Sequence, residues 1–387
     1  MTSAQHSAAM ESSQPSWYAP AELAKLETPC YVFDPARVAS DYAKLKNELS
    51  TPLVVSFKAN SNPDLFVRCS GAFVDGIELA SLGELNVVVG RSAAPKFINT
   101  PALERNLIAA GIASRATLVL DSPAQLEMLA MARGQFASAA IALRLNVAGL
   151  IGDVPGAAGA DHFGFDLQDA HAAAVRLRDL GLGVRGLHAF GGSYSFKTCS
   201  VPIRAAIERV LPGIQQAAGA PIEFVNLGGG FSEDWDRQPG ALHEYRRSLA
   251  QLSAKVRVIH EAGRAVFARA GCFVVEIIAV KSVAGRRVAV CDGGITHCFQ
   301  LAQTEKVMKK FRRPHHVRMG GAVAGTGAGK VQIVGNSCNR MDIIGELEAG
   351  TVLAPGDRLI FSDCGAYTTY SPTGFLNLKA ARRYLLS

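Results

Sequence analysis

Pro52-Leu-Val-Val-Ser-Phe-Lys-Ala-Asn-Ser-Asn-Pro63 is the stretch from which the rest of the chain is read. Leu53, Val54, Val55 and Phe57 form an apolar run of the length of a buried strand, and Asn60-Ser-Asn-Pro63 supplies the turn that ends it. Lys58 stands where the strand gives way to the turn. Two readings of it are open. Either it snorkels to water from a strand end, or it is desolvated enough for its neutral amine to serve as a nucleophile. The main use of such an amine is a Schiff base with a carbonyl compound.

The same strand-then-helix unit recurs downstream. Strand-like runs lie at 53–57, 76–79, 96–98, 117–120, 140–145, 184–188, 222–227 and 256–260, with amphipathic helical stretches between them. An open doubly wound sheet shows the same alternation, but the count of eight favours an α/β fold with a parallel (β/α)8 barrel. After about Gly271 the pattern changes to short strands at 274–280, 287–291, 331–334 and 358–361, separated by turns. The expected division is a barrel at 46–271 and a β-rich domain made of 28–45 plus 272–387. Residues 1–27 are rich in Ala and Ser, lack the apolar core of a signal peptide, and read as a frayed tail on a cytoplasmic protein. Residues 305–330 read as a mobile loop that carries Lys306, Lys309, Lys310, Arg312, Arg313, His315, His316 and Arg318. Within it, Gly325-Thr-Gly-Ala-Gly-Lys330 is not a phosphate loop, because Ala324 replaces the first glycine and Val331 the Ser/Thr.

Composition narrows the class. The chain has 387 residues, 49% of them hydrophobic and 19% charged, which suits a globular enzyme of two domains. No apolar run approaches a membrane span. The net charge of +7 favours acidic partners or substrates without amounting to a nucleic-acid signature. Cys30, Cys69, Cys199, Cys272, Cys291, Cys298, Cys338 and Cys364 are scattered with no CxxC, so free thiols are expected and no metal site.

In a barrel of this kind chemistry gathers at the C-terminal ends of the strands. Those ends carry Lys58, Glu78, Asp121, Arg144, His188 through Ser193, Gly228-Gly-Gly230, and Glu261-Ala-Gly-Arg264. The three glycines let backbone N–H groups approach an anion, and Ser193 and Arg264 add a hydroxyl and a charge, the makings of a phosphate cradle. Glu261 suits the nitrogen of a pyridine ring, where a carboxylate keeps the ring protonated. A tight turn explains the glycines equally well, and Glu261 could instead pair with a nearby arginine; a lysine, a phosphate cradle and an acid for a ring nitrogen are the parts that a pyridoxal 5'-phosphate site would use.

The motifs Ser56-Phe-Lys-Ala-Asn60, Gly76-Ile-Glu-Leu-Ala-Ser81, Asp121-Ser122, Phe163-Gly164, Gly186-Leu-His-Ala-Phe-Gly-Gly-Ser193, Asn226-Leu-Gly-Gly-Gly230, Glu261-Ala-Gly-Arg264, Asp292-Gly-Gly294, Cys338-Asn-Arg-Met-Asp342 and Asp363-Cys-Gly-Ala-Tyr-Thr368 occur in this order. Together they resemble the fold-type III pyridoxal-phosphate decarboxylases of ornithine, diaminopimelate and arginine, from about Thr28 to Asn377. The resemblance implies an alanine racemase-like fold and a homodimer with shared active sites, each completed by Cys338 and Tyr367 of the other subunit. It implies that Lys58 is the Schiff-base lysine and that Cys338 is the general acid that reprotonates the α-carbon. It further implies that Glu78, Phe190, Ser193, Gly228, Gly229, Gly230, Glu261, Gly263, Arg264 and Tyr367 contact the cofactor, and that Asn339, Arg340 and Asp342 face the substrate.

The departures from the pattern are informative. Phe190 stands where a histidine stacks on the cofactor ring, Glu78 where many members have Asp, and Ala262 where Pro is usual. Members acting on diamino acids carry an acid beside the cysteine for the distal ammonium, and here Asn339 and Arg340 follow it. An ammonium buried without a carboxylate is penalised. The expected substrate is therefore an α-amino carboxylate whose far end is not a free amine, as in a specialised branch acting on carrier-protein-tethered aminoacyl groups or citryl-linked siderophore precursors. The basic run at 306–318 is the expected docking place for an acidic carrier protein. Three alternatives are decarboxylation of free ornithine, lysine or diaminopimelate, a racemase or other lyase using the same cofactor, and a non-catalytic regulator.

Overall fold

A computed structural model describes residues 18–131, 139–152, 154, 161–237, 239–301, 313–320, 329–368 and 375–387. Its strands are β1 (Cys30–Phe33), β2 (Leu53–Ser56), β3 (Ile77–Leu79), β4 (Lys96–Asn99), β5 (Thr117–Leu120), β6 (Ala140–Arg144), β7 (Val184–His188), β8 (Phe224–Asn226), β9 (Arg257–Ala262), β10 (Gly271–Val283), β11 (Arg286–Cys291), β12 (His315–Val317), β13 (Val331–Val334), β14 (Ile343–Leu347), β15 (Arg358–Phe361) and β16 (Arg382–Leu385). They divide between two compact units, Pro35–Phe267 and Met1–Asp34 with Ala268–Ser387.

The first unit is a closed parallel barrel, β2 through β9 in chain order, as the eightfold repeat leads one to expect. It closes where β2 pairs with β9 through Leu53↔His260, Val54↔Glu261 and Val55↔Ala262. Its interior is filled by side chains, because a barrel of eight strands is only wide enough to hold them. Val54, Phe97, Val119, Ala142, Phe224 and Ile259 form one buried cluster there. Phe97 and Phe224 meet edge to face with centroids 5.8 Å apart. Gly186 makes room for this pair, since a Cβ on it would lie 2.2 Å from the Phe224 ring.

The unit boundaries differ from the expected 45 and 271. Helix Pro35–Leu49 belongs with the barrel because it buries Val38, Tyr42, Leu45 and Leu49. The Tyr42 hydroxyl donates to the Leu53 carbonyl at 2.8 Å, and Lys46 pairs with Asp75 at 2.8 Å. Each such apolar side chain contributes about 1.5–3 kcal/mol when fully buried, enough to hold the helix on the barrel.

The second unit is a mixed sheet ordered β12-β15-β10-β11-β13-β14, with β1 pairing both β10 and β16. The long β10 organises it by pairing β1 along Gly271–Val274, β15 along Phe273–Glu276 and β11 along Ile277–Val283. Residues 18–27 are not frayed. Tyr18, Leu23 and Leu26 pack against a buried cluster of Cys30, Val32, Cys272, Val274 and Ile360. Residues 1–17 lie outside the described residues. The expected loop at 305–330 contains a strand, β12, which pairs with β15 through His315↔Ile360. Lys306, Lys309, Lys310 and Arg312 lie outside the described residues. Among the described residues no helix is long and apolar enough to cross a membrane.

Candidate active site

β2 ends at Ser56 and continues into a single 3-10 turn, Phe57–Ala59. The turn buries Phe57 and Ala59 and puts Lys58 outward, with its side chain 47% exposed. Asn62 then caps helix Pro63–Cys69, its Oδ1 accepting from the N–H of Asp64 at 2.9 Å and of Leu65 at 3.3 Å, with Pro63 in the first helical turn. The Asn-Ser-Asn-Pro sequence thus both ends the strand and starts the helix, which fixes where Lys58 emerges. Lys58 Nζ donates to Glu78 Oε1 at 3.0 Å and to Oε2 at 3.2 Å. Ser56 Oγ also donates to Glu78 Oε2. Glu78 is buried at the β3 residue facing this turn. The exit from β3 is stabilised by Ser81 capping the Glu84 N–H at 3.2 Å while Glu84 Oε2 accepts from Ala80 N–H at 2.7 Å.

Glu261 is the second buried acid. Asn226 Nδ2 donates to its Oε1 at 2.7 Å, and His188 Nε2 lies 3.3 Å from the same oxygen. Burial alone would raise the Glu261 carboxyl, but the charge and hydrogen bond of His188, with Lys58 and Asn226, hold it down to about 2. Both neighbours converge on Oε1, which leaves Oε2 for another donor. Behind them Asn99 Nδ2 sits 3.3 Å from His188 Nε2, and Arg144 donates to Asn99 Oδ1 at 3.4 Å. The Arg144 guanidinium lies over the Phe163 ring at 4.2 Å. Asp121 has a structural role, accepting from the Gly164 N–H at 2.7 Å.

The glycine loop passes directly under Glu261. A Cβ on Gly229 would lie 2.1 Å from the Glu261 carbonyl oxygen, and Gly228 and Gly230 have φ of +65° and +78°. No other residue type fits this path. Asn226 Oδ1 accepts from the Gly228 N–H at 2.9 Å and so ties the loop to the Glu261 carboxylate. Gly263 lets the turn before Arg264 lie against the lysine turn, since its Cβ would lie 2.7 Å from Ala59 Cβ. Phe190, half-buried, stands against Gly228, whose Cβ would lie 2.8 Å from the ring. Ser193 is exposed, and Arg264 Cζ lies 4.5 Å from the centroid of the Tyr194 ring.

The remaining expected residues belong to the second unit. Cys338 is exposed, whereas the other seven cysteines are buried; all eight are free thiols. Asn339 and Arg340 are exposed beside it on the segment between β13 and β14. Asn339 Oδ1 accepts from Met341 N–H at 2.9 Å. Asp342, expected at the substrate, has its carboxylate engaged within its own unit. It is buried, its Oδ1 accepts from Ile295 N–H at 2.8 Å, and its Oδ2 accepts from Ser337 N–H at 3.1 Å and Ser337 Oγ at 2.6 Å. Tyr367, half-buried, takes a left-handed backbone with φ +54° after β15.

Residues 36–268 match the model of the pyridoxal binding domain of the pyridoxal-dependent decarboxylases. The chain belongs to the pyridoxal-dependent decarboxylase family.

Relatives agree with this assignment. The decarboxylase is 26% identical over 378 residues to the L-glutamyl-[BtrI acyl-carrier protein] decarboxylase of Niallia circulans, covering 91% of this chain and 87% of that protein. It is 25% identical over 376 residues to diaminopimelate decarboxylase of Zymomonas mobilis, covering 90% and 85%. In fold it is similar to the lysine/ornithine decarboxylase of Vibrio vulnificus solved with putrescine, with a TM-score of 0.77 at 21% identity over 95% and 96% of the two chains.

The residues of the barrel unit fit pyridoxal phosphate. They supply an amine at a strand end, a side-chain-free loop for a phosphate, and a carboxylate held ionised for the ring nitrogen. Sequence reasoning assigned no role to Ser56, Asn99, Asn226, His188 or Tyr194. Ser56 and Asn226 stand inside motifs already singled out, two residues before Lys58 and before Gly228. That spacing along a strand end was the signal available. Nothing local marks Asn99 as a neighbour of a histidine 89 residues away.

Proposed function

We propose that this decarboxylase acts on an α-amino carboxylate whose distal end carries no free amine, with a glutamyl-type group tethered to an acyl carrier protein as the leading instance. The observation that carries the reading is Asp342. The segment after Cys338 has this one acid, and its carboxylate is fully engaged by Ile295 and Ser337. Asn339 and Arg340 offer an amide and a cation, which suit a neutral or anionic distal group. The carrier-protein relative supports the same direction.

When bound, pyridoxal phosphate supplies the electron sink that accepts the pair left by the departing carbon dioxide. Lys58 would hold the cofactor through its amine. Ser193, the N–H groups of Gly228–Gly230, Arg264 and Tyr367 would hold its phosphate. Glu261 would keep a negative charge for its ring nitrogen, and Phe190 would offer it an apolar face. Cys338 would be the acid that supplies a proton to the substrate. In the homodimer we infer, Cys338 and Tyr367 of each subunit complete the site of the other.

Three described residues of the 306–318 run are already paired within the fold. Arg313 pairs with Glu348, and His316 and Arg318 pair with Asp357. A docking role therefore rests on positions before Arg313.

The experiment is carbon dioxide release by the cofactor-loaded enzyme from free basic amino acids, free acidic amino acids, citryl-linked amino acids and aminoacyl carrier proteins. Release confined to tethered or acidic substrates is expected. Efficient turnover of ornithine, lysine or diaminopimelate would overturn the reading of Asn339 and Arg340.

A further inference from the structure

We propose that Tyr194 is a positioning residue that holds the Arg264 guanidinium at the phosphate cradle. Three observations converge on it. Its backbone is left-handed, with φ +61°, a conformation that an aromatic residue adopts only at a cost in energy. Its ring lies under the Arg264 guanidinium, with Cζ 4.5 Å from the centroid. The same ring walls a cleft of about 200 Å³ that abuts Gly230.

The surrounding contacts explain why the strained conformation persists. Ser195 Oγ donates to the Gly192 carbonyl at 2.6 Å, and Phe196 N–H donates to the Gly230 carbonyl at 3.3 Å. A Cβ on Gly230 would lie 2.6 Å from Ser195 Oγ and 2.8 Å from the Gly192 carbonyl oxygen. The 192–196 turn is therefore clamped onto the glycine loop, and Tyr194 has no room to relax without breaking that clamp. Glycine or asparagine would take this backbone with less strain. The chain keeps an aromatic ring there, and the ring's partner is the cation of the cradle. Stacking engages the face of the guanidinium, while hydrogen bonding uses its in-plane N–H groups, so the two operate together.

The inference rests on cofactor binding alone and holds whichever amino acid is the substrate. The test measures affinity of the apoenzyme for pyridoxal phosphate and for pyridoxal, which lacks the phosphate, by protein fluorescence, alongside thermal unfolding. For Tyr194→Gly and Tyr194→Asn, pyridoxal phosphate should bind about fivefold to thirtyfold more weakly, the range of a stacked cation. Pyridoxal affinity should be unchanged, and the apoenzyme should be as stable as the parent or more so. Tyr194→Phe should restore phosphate affinity. Unchanged pyridoxal phosphate affinity, an equal loss for pyridoxal, or unfolding of both the glycine and asparagine variants would overturn the proposal and make the ring a packing element.

Discussion

His188 Nε2 lies 3.3 Å from Glu261 Oε1, while His188 Nδ1 is buried with no hydrogen-bond partner among the described residues. A carboxylate only accepts, so the histidine must carry its proton on Nε2 to bond it. Replacing the histidine with glutamine weakens the charge that keeps Glu261 ionised. The expected outcome for His188→Gln is an acid limb of kcat shifted upward by about one pH unit, with pyridoxal phosphate affinity little changed. A pH–rate profile superimposable on the parent would show that Asn226 alone suffices.

Gly229 has no room for a methyl group, since its Cβ would meet the Glu261 carbonyl oxygen at 2.1 Å. Gly229→Ala should cost about 1–3 kcal/mol of stability and weaken cofactor retention, because the loop must move away from the acid. Urea unfolding and cofactor titration check both effects. An alanine variant of parental stability would mean that the loop yields at no cost.

His260 gives the barrel a pH dependence of known sign. It bridges Thr51 Oγ1 at 2.8 Å and the Tyr245 hydroxyl at 2.9 Å. Burial pushes its imidazole down to about 3, against an ordinary value of 6.5, with Glu261 opposing. The unfolded chain therefore binds a proton that the folded one refuses. Stability is fully present above pH 6.5 and is lost as pH falls from there toward 3. Between pH 7 and pH 5 the loss from this group is about 2 kcal/mol, in a range above the titration of Glu261. Denaturant unfolding at the two pH values should show that loss in the parent and not in His260→Gln.

Asp342 separates a structural from a substrate role. With three donors directed at its carboxylate, Asp342→Ala should lower stability by about 2 kcal/mol or more. A variant of unchanged stability but raised KM would return Asp342 to the substrate.

Asn339 is the position at which substrate choice should be switchable. Asn339→Asp places a carboxylate beside Cys338, and kcat/KM for a free diamino acid relative to the parent's preferred substrate should rise by about tenfold or more. An unchanged ratio in the competition assay would remove Asn339 from the specificity argument.

The barrel was legible in the chain alone, because each strand of a parallel sheet is an apolar run and each crossover an amphipathic helix, both of which are local patterns. Periodicity also put Lys58, the glycine loop, Glu261 and Arg264 at the C-terminal ends of barrel strands, where the structure has them. It did not reveal β12, β14 or β16. These strands are short and only partly buried, and β12 and β16 exist by pairing with distant segments, β16 with β1 near the opposite chain end. It placed helix Pro35–Leu49 with the wrong unit, because an amphipathic face does not state which core it will join. What the chain could not show in one dimension is that the Asp342 carboxylate accepts from Ile295 and Ser337, that His188 and Asn226 meet on one oxygen of Glu261, and that Tyr194 lies beneath Arg264. Those relationships join residues that are far apart in the chain or turned toward one another by backbone conformation, and hydrogen-bond partners of that kind are set by the packed fold rather than by any local pattern.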